Sequence, residues 1–227
     1  MSEYVIPAPA PAMVPVVGGG SFPVRRIYCV GRNYAEHARE MGHDPDREPP
    51  FFFMKPADSV VVGGADMAYP PGTSDLHHEL ELVAALGSGG TDIPVDEALG
   101  HVWGYAVGLD MTRRDLQGEA KKLGRPWEMG KGFDGSAPIG EMAEAGSFDP
   151  TRGGIELRVN GGVRQSSDLS KMIWSVAETI SYLSRLMRLE AGDLIMTGTP
   201  EGVAAVGRGD VLEGRIEGLP SLRTRVA

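Results

Sequence analysis

The chain has 227 residues, 41% of them hydrophobic, enough to bury the core of one globular domain. A formal net charge of -9 argues against a nucleic-acid partner, since a phosphate backbone calls for concentrated positive charge. The single cysteine, Cys29, excludes an intrachain disulfide and a cysteine-rich metal site, and fits a reducing cytoplasm.

Residues 1–23, rich in Pro, Ala and Val, read as an extended arm. No Lys or Arg precedes the apolar residues there, as a secretory signal requires, and no apolar run nears the roughly 18 residues that cross a bilayer. Residues 24–227 are expected to form one catalytic domain. With 32 Gly and 17 Pro, the periodic segments are short, which favours a β-rich mixed α/β fold over a helical bundle. Strands are expected at Val24–Val30, Pro50–Met54, Glu79–Leu86 and Trp103–Leu109, then at Ile155–Val159, Asp193–Met196 and Val211–Ile216. The dipeptide Asn160-Gly161 after Val159 predicts a hairpin, because both residues accept positive φ. Helices are expected at Asn33–Met41, Arg113–Leu123 and Val176–Met187, the last with Val176, Ile180, Leu183 and Met187 as a core stripe.

Glu79 and Glu81 lie two apart on an expected strand, so both carboxylates leave the same face while Leu80 and Leu82 take the other. Like charges this close are unfavourable unless they are solvated or bridged by a cation, and the flanking leucines and valines point to burial. Asp110 ends the apolar run Trp103–Leu109 and either completes an oxygen-rich site or caps the helix that follows. Three carboxylates select a hard divalent ion, Mg²⁺ or Mn²⁺, with Ca²⁺ also accommodated. His37 and Glu40, three apart on an expected helix, fit either a general-base dyad or a surface ion pair.

Five ordered motifs give the chain a resemblance. They are Cys29-Val30-Gly31-Arg32-Asn33-Tyr34, Phe53-Met54-Lys55-Pro56, His77-His78-Glu79-Leu80-Glu81-Leu82, Gly108-Leu109-Asp110-Met111-Thr112 and Thr197-Gly198-Thr199-Pro200-Glu201-Gly202-Val203. In content and order they resemble the fumarylacetoacetate hydrolase family, from about Val24 to the C-terminus.

The resemblance implies a rolled, mixed β-sheet core with a few peripheral helices and a short lid helix, usually as a homodimer. It implies metal ligation by Glu79, Glu81 and Asp110, and a water-activating pair of His37 and Glu40 on the lid. It further implies an active-site lysine at Lys131, in a flexible glycine-flanked segment, and substrate contacts from Arg114, Gln117 and Thr199. His77 and His78 are given supporting or packing roles, since consecutive strand residues point to opposite faces. The implied activity is metal-dependent hydrolysis of the C3–C4 bond of a small dicarbonyl acid, an acylpyruvate, with fumarylpyruvate foremost. The alternatives are oxaloacetate decarboxylation, a broader acylpyruvase activity, or a noncatalytic metal-dependent binding protein.

Overall fold

The computed structural model describes residues 4–40, 48–146 and 148–227, with the side chains of 38–40 left out. A six-stranded sheet forms its centre, in the spatial order Ala143–Glu144, Val102–Leu109, Leu80–Leu86, Asp193–Met196, Arg26–Gly31, Phe51–Lys55. Every neighbouring pair is antiparallel except Asp193–Met196 against Arg26–Gly31, so the sheet is mixed. That parallel pair is clamped at its start. Asp193, fully buried, accepts from Arg25 Nη1 at 3.0 Å and from Arg26 Nε at 3.1 Å.

A four-stranded antiparallel sheet covers one face, in the order Gly162–Asp168, Gly154–Val159, Val211–Ile216, Leu222–Arg225. Gly214 lets the two sheets meet, since a Cβ there would stand 2.6 Å from Leu80 Cδ1. Leu80, Leu82, Val107, Leu157 and Leu212 fill the space between them. The opposite face packs Ile27, Val83, Ala106 and Met196 against Val14 and Phe22. Burial on both faces explains why Leu80–Leu86 is apolar at nearly every position and buried at all of them.

Most expected elements form, with shifted ends. The helices run Ala35–Glu40, Arg114–Leu123 and Val176–Leu186. The last is opened by a capping box in which Ser175 and Glu178 satisfy each other's backbone N–H groups. Met187 leaves the expected stripe: it is the extended residue that ends the helix and is 38% exposed. The Asn160-Gly161 turn is present, with φ of 52° and 80°. Near the N-terminus, the chain has no regular element from Tyr4 to Pro11, then pairs Ala12–Pro15 with Ser21–Val24 as a hairpin whose Val14 and Phe22 join the core. No helix among the described residues is long and apolar enough to cross a membrane.

Candidate active site

The central hairpin brings the three carboxylates together. Leu80 pairs with Leu109 and Glu81 with Gly108, and the Asp110 N–H extends the ladder to the Glu79 carbonyl at 2.8 Å. Glu79 therefore stands across from Asp110, on the face that Glu81 shares one pleat further along. All three are buried, and each offers an oxygen within 4.8 Å of the others. Asp110 is not a helix cap: the helix starts at Arg114, after Arg113 in the cap position, and the Asp110 carboxylate turns inward.

Cations surround two of the acids. Lys131 Nζ donates to Glu79 Oε2 at 2.7 Å and to Asp110 Oδ2 at 2.6 Å. Arg114 reaches Glu79 Oε1 with one nitrogen and donates to Gln117 Oε1 with the other, at 2.7 Å. Burial would push the Glu79 carboxyl up, but Lys131, Arg114 and His37 overcome it and hold Glu79 well below the usual range. Glu81 goes the other way, driven up first by burial and then by Asp110 and Glu79. Its hydrogen-bond donor is the Gly198 N–H at 2.7 Å, and among the described residues no Lys or Arg lies within ion-pair distance of it. A buried acid pressed by two others, in an all-oxygen set, fits a hard divalent cation.

The expected flexible segment around Lys131 is one turn of helix, Glu128–Lys131. Gly130 permits this, because a Cβ there would stand 2.9 Å from the Gln117 backbone nitrogen. The close approach buries Lys131 and sets it against the Phe53 ring, 4.9 Å from its centre.

His37, on the short helix Ala35–Glu40, is 6% exposed and lines the same pocket as Glu79, Glu81, Arg114, Gln117, Lys131 and Thr199. The side chain of Glu40 lies outside the described residues. His77 and His78 point apart: His77 bonds Asp75 at 2.9 Å, and His78 Nδ1 meets Gln165 Oε1 at 3.1 Å. Burial holds the His78 pKa down to about 4, which keeps the imidazole neutral.

Three polar residues of the site region had no role assigned from sequence. Lys55, fully buried, pairs with Asp110 Oδ1 at 2.8 Å and donates to the carbonyls of Met111, at 3.1 Å, and Lys131. Gln165 donates from Nε2 to Thr199 Oγ1 and to the Pro200 carbonyl, each at 2.8 Å, and accepts from the Leu80 N–H at 3.0 Å. Asn33 donates to the Thr197 carbonyl at 2.7 Å and to the Trp174 carbonyl at 2.8 Å, tying the foot of the His37 helix to the Thr199 loop. Asn33 and Lys55 belong to the motifs Cys29–Tyr34 and Phe53–Pro56, which mark them in the sequence. Gln165, in an ordinary polar strand, has no such mark.

The family profile described as Fumarylacetoacetate (FAA) hydrolase C-terminal matches residues 26–227. The crystal structure of fumarylpyruvate hydrolase from Pseudomonas aeruginosa in complex with Mn²⁺ and pyruvate is 56% identical, covers 99% of each chain and superposes with a TM-score of 0.97. A fumarylpyruvate hydrolase from a Ralstonia species is 45% identical over 188 residues, 82% of this chain and 98% of that protein. Human mitochondrial oxaloacetate tautomerase is 42% identical over 203 residues, 89% of this chain and 91% of that protein. The matched span holds the acid trio and every other candidate residue, and the chain belongs to the fumarylacetoacetate hydrolase family, as a hydrolase acting on carbon–carbon bonds.

Proposed function

We propose that the protein hydrolyses the C3–C4 bond of an acylpyruvate, with fumarylpyruvate as the preferred substrate and fumarate and pyruvate as products. The observation that carries this reading is one pocket in which Glu79 and Glu81, two of the three clustered buried acids, meet a histidine, a lysine and a threonine. Glu79, Glu81 and Asp110 would hold the divalent ion, which supplies Lewis-acid polarisation and a template for the dicarbonyl end of the substrate. The Pseudomonas relative, solved with Mn²⁺ and pyruvate, supports both the metal and the product half.

In this reading His37 takes a proton from water, with Glu40 as its partner, and the water oxygen attacks the C4 carbonyl. Collapse of the tetrahedral intermediate breaks C3–C4, leaving fumarate on one side and the enolate of pyruvate on the other. Proton delivery to C3 then gives pyruvate. Lys131, dry and oriented by two carboxylates, faces the developing negative charge, and Arg114 with Gln117 orients the keto acid. Thr199 contributes a hydroxyl to the substrate carboxylate. Its acceptor side is engaged by Gln165, which leaves its own proton to donate. A homodimer in the cytoplasm belongs to the same reading, and light scattering on the purified protein tests the dimer.

Oxaloacetate is the second substrate to weigh, because a human relative of 42% identity is an oxaloacetate tautomerase. That relative's name points to enol–keto exchange and gives no support to loss of CO₂. The test is a spectrophotometric comparison of fumarylpyruvate, acetylpyruvate and oxaloacetate with Mg²⁺, Mn²⁺ or chelator. Fumarylpyruvate should have the largest kcat/KM, and chelator should abolish its loss. A larger kcat/KM for oxaloacetate, or turnover indifferent to chelator, overturns the reading.

A further inference from the structure

Four cationic side chains line the pocket, and they fall into two groups. Arg114 and Lys131 are paired with Glu79 and Asp110 at the buried end. Arg32 and Lys121 have no carboxylate within ion-pair distance among the described residues. Lys121 is exposed and Arg32 half-buried, which puts this pair on the solvent side of the buried acids.

Both are held on aromatic faces. Arg32 adopts a left-handed backbone, with φ of 58°, a conformation that costs a residue with a side chain about 1 kcal/mol or more. Its guanidinium stacks 5.0 Å from the centre of the Phe51 ring, and Lys121 Nζ stands 4.9 Å from the centre of the Trp127 ring. Phe51 and Trp127 meet edge to face at 5.4 Å, so the two cations sit on one aromatic wall. Gly31 makes the wall possible: a Cβ there would fall 2.2 Å from the Phe51 ring. Partial desolvation of the otherwise exposed Lys121, then Arg114, lowers its pKa against the opposing pull of Glu79, and Lys131 and Arg32 add smaller contributions in the lowering direction. Two like charges on one wall, neither with a carboxylate in ion-pair distance among the described residues, form a site for an anion.

We propose that Arg32 and Lys121 form a second carboxylate subsite on the aromatic wall, which selects acylpyruvates whose flat, unsaturated acyl arm ends in its own carboxylate. This rests on the acylpyruvate reading above. The buried end takes the pyruvoyl half, the Phe51 and Trp127 rings take the planar arm, and Arg32 and Lys121 take its far charge. An acylpyruvate with a methyl in place of that arm leaves the subsite unused.

The test is the ratio of kcat/KM for fumarylpyruvate to that for acetylpyruvate, measured with Mn²⁺ on the wild type, Arg32→Asn, Lys121→Met and Lys121→Arg. Asparagine tolerates the left-handed backbone, so Arg32→Asn removes the charge with least strain, and Lys121 stands on an exposed helix face where methionine folds as well. The ratio should fall about 10-fold in each charge-removing variant, chiefly through a higher KM for fumarylpyruvate, and Lys121→Arg should keep it. A ratio within about twofold of wild type in both variants, or an equal rise in KM for both substrates, overturns the subsite while leaving acylpyruvate hydrolysis standing. Wild-type protein that cleaves neither acylpyruvate overturns the functional reading and the subsite together.

Discussion

Gln165 Nε2 donates to Thr199 Oγ1 over 2.8 Å, joining two segments 34 residues apart inside the protein. The same side chain holds the Pro200 carbonyl and the Leu80 N–H, so one amide fixes the Thr199 loop against the strand that carries Glu81. Gln165→Met keeps the volume and strands these polar groups, each at about 1–3 kcal/mol. The variant should melt lower and show a raised KM. Thr199→Val should raise KM with a much smaller change in melting. If Thr199→Val raises KM and Gln165→Met leaves it at the wild-type value, Gln165 does not position the threonine.

Glu81 is the acid with most to gain from a divalent ion. In chelator, Glu81→Gln removes one of three crowded buried carboxylates and should melt no lower than wild type. In saturating Mn²⁺ the order should reverse, because an ion that binds only the folded state stabilises wild type by about 2.7 kcal/mol at a hundred times Kd. Scanning calorimetry with and without the ion reads both orders. Wild-type melting that ignores Mn²⁺ and Mg²⁺ alike removes the trio as a metal site.

Gly198 has φ of 96°, and a Cβ built on it would stand 2.6 Å from Asn33 Cβ while its N–H serves Glu81. Gly198→Ala should therefore cost about 1–3 kcal/mol and depress turnover by moving the donor. Gly100, with open space around its Cβ position, is the control, and Gly100→Ala should melt near wild type. Equal melting of the two variants would show that the loop yields without strain.

Lys55 neutralises Asp110 and bonds two carbonyls from a fully buried position. Lys55→Met leaves that carboxylate with one cation fewer and frees both carbonyls, a change expected to cost about 3–5 kcal/mol. A urea-unfolding midpoint reads it. A shift worth under about 1 kcal/mol would mean that water or Lys131 takes over the role.

The elements that local chemistry dictates were legible from the residues alone. Strand periodicity put Glu79 and Glu81 on one face, the positive φ that Asn160 and Gly161 accept made the hairpin turn, and helical spacing marked Val176, Ile180 and Leu183 as core. Asp110 stood open between cap and ligand until its neighbours were in place, because the choice turns on where its side chain points and not on its position before a helix. Met187 left its stripe for a similar reason: a periodic pattern does not say at which residue the helix stops.

The tertiary structure alone decided the company these residues keep. Lys55 finds Lys131 across 76 residues of chain, Asn33 finds Thr197 across 164, and Glu79 receives Lys131 because a glycine lets a helical turn press close. Sequence carries residue type and period, which set Glu79 and Glu81 on one face of a strand. A buried polar group takes its partner from whatever packing brings within about 3 Å, and that is a property of the folded chain.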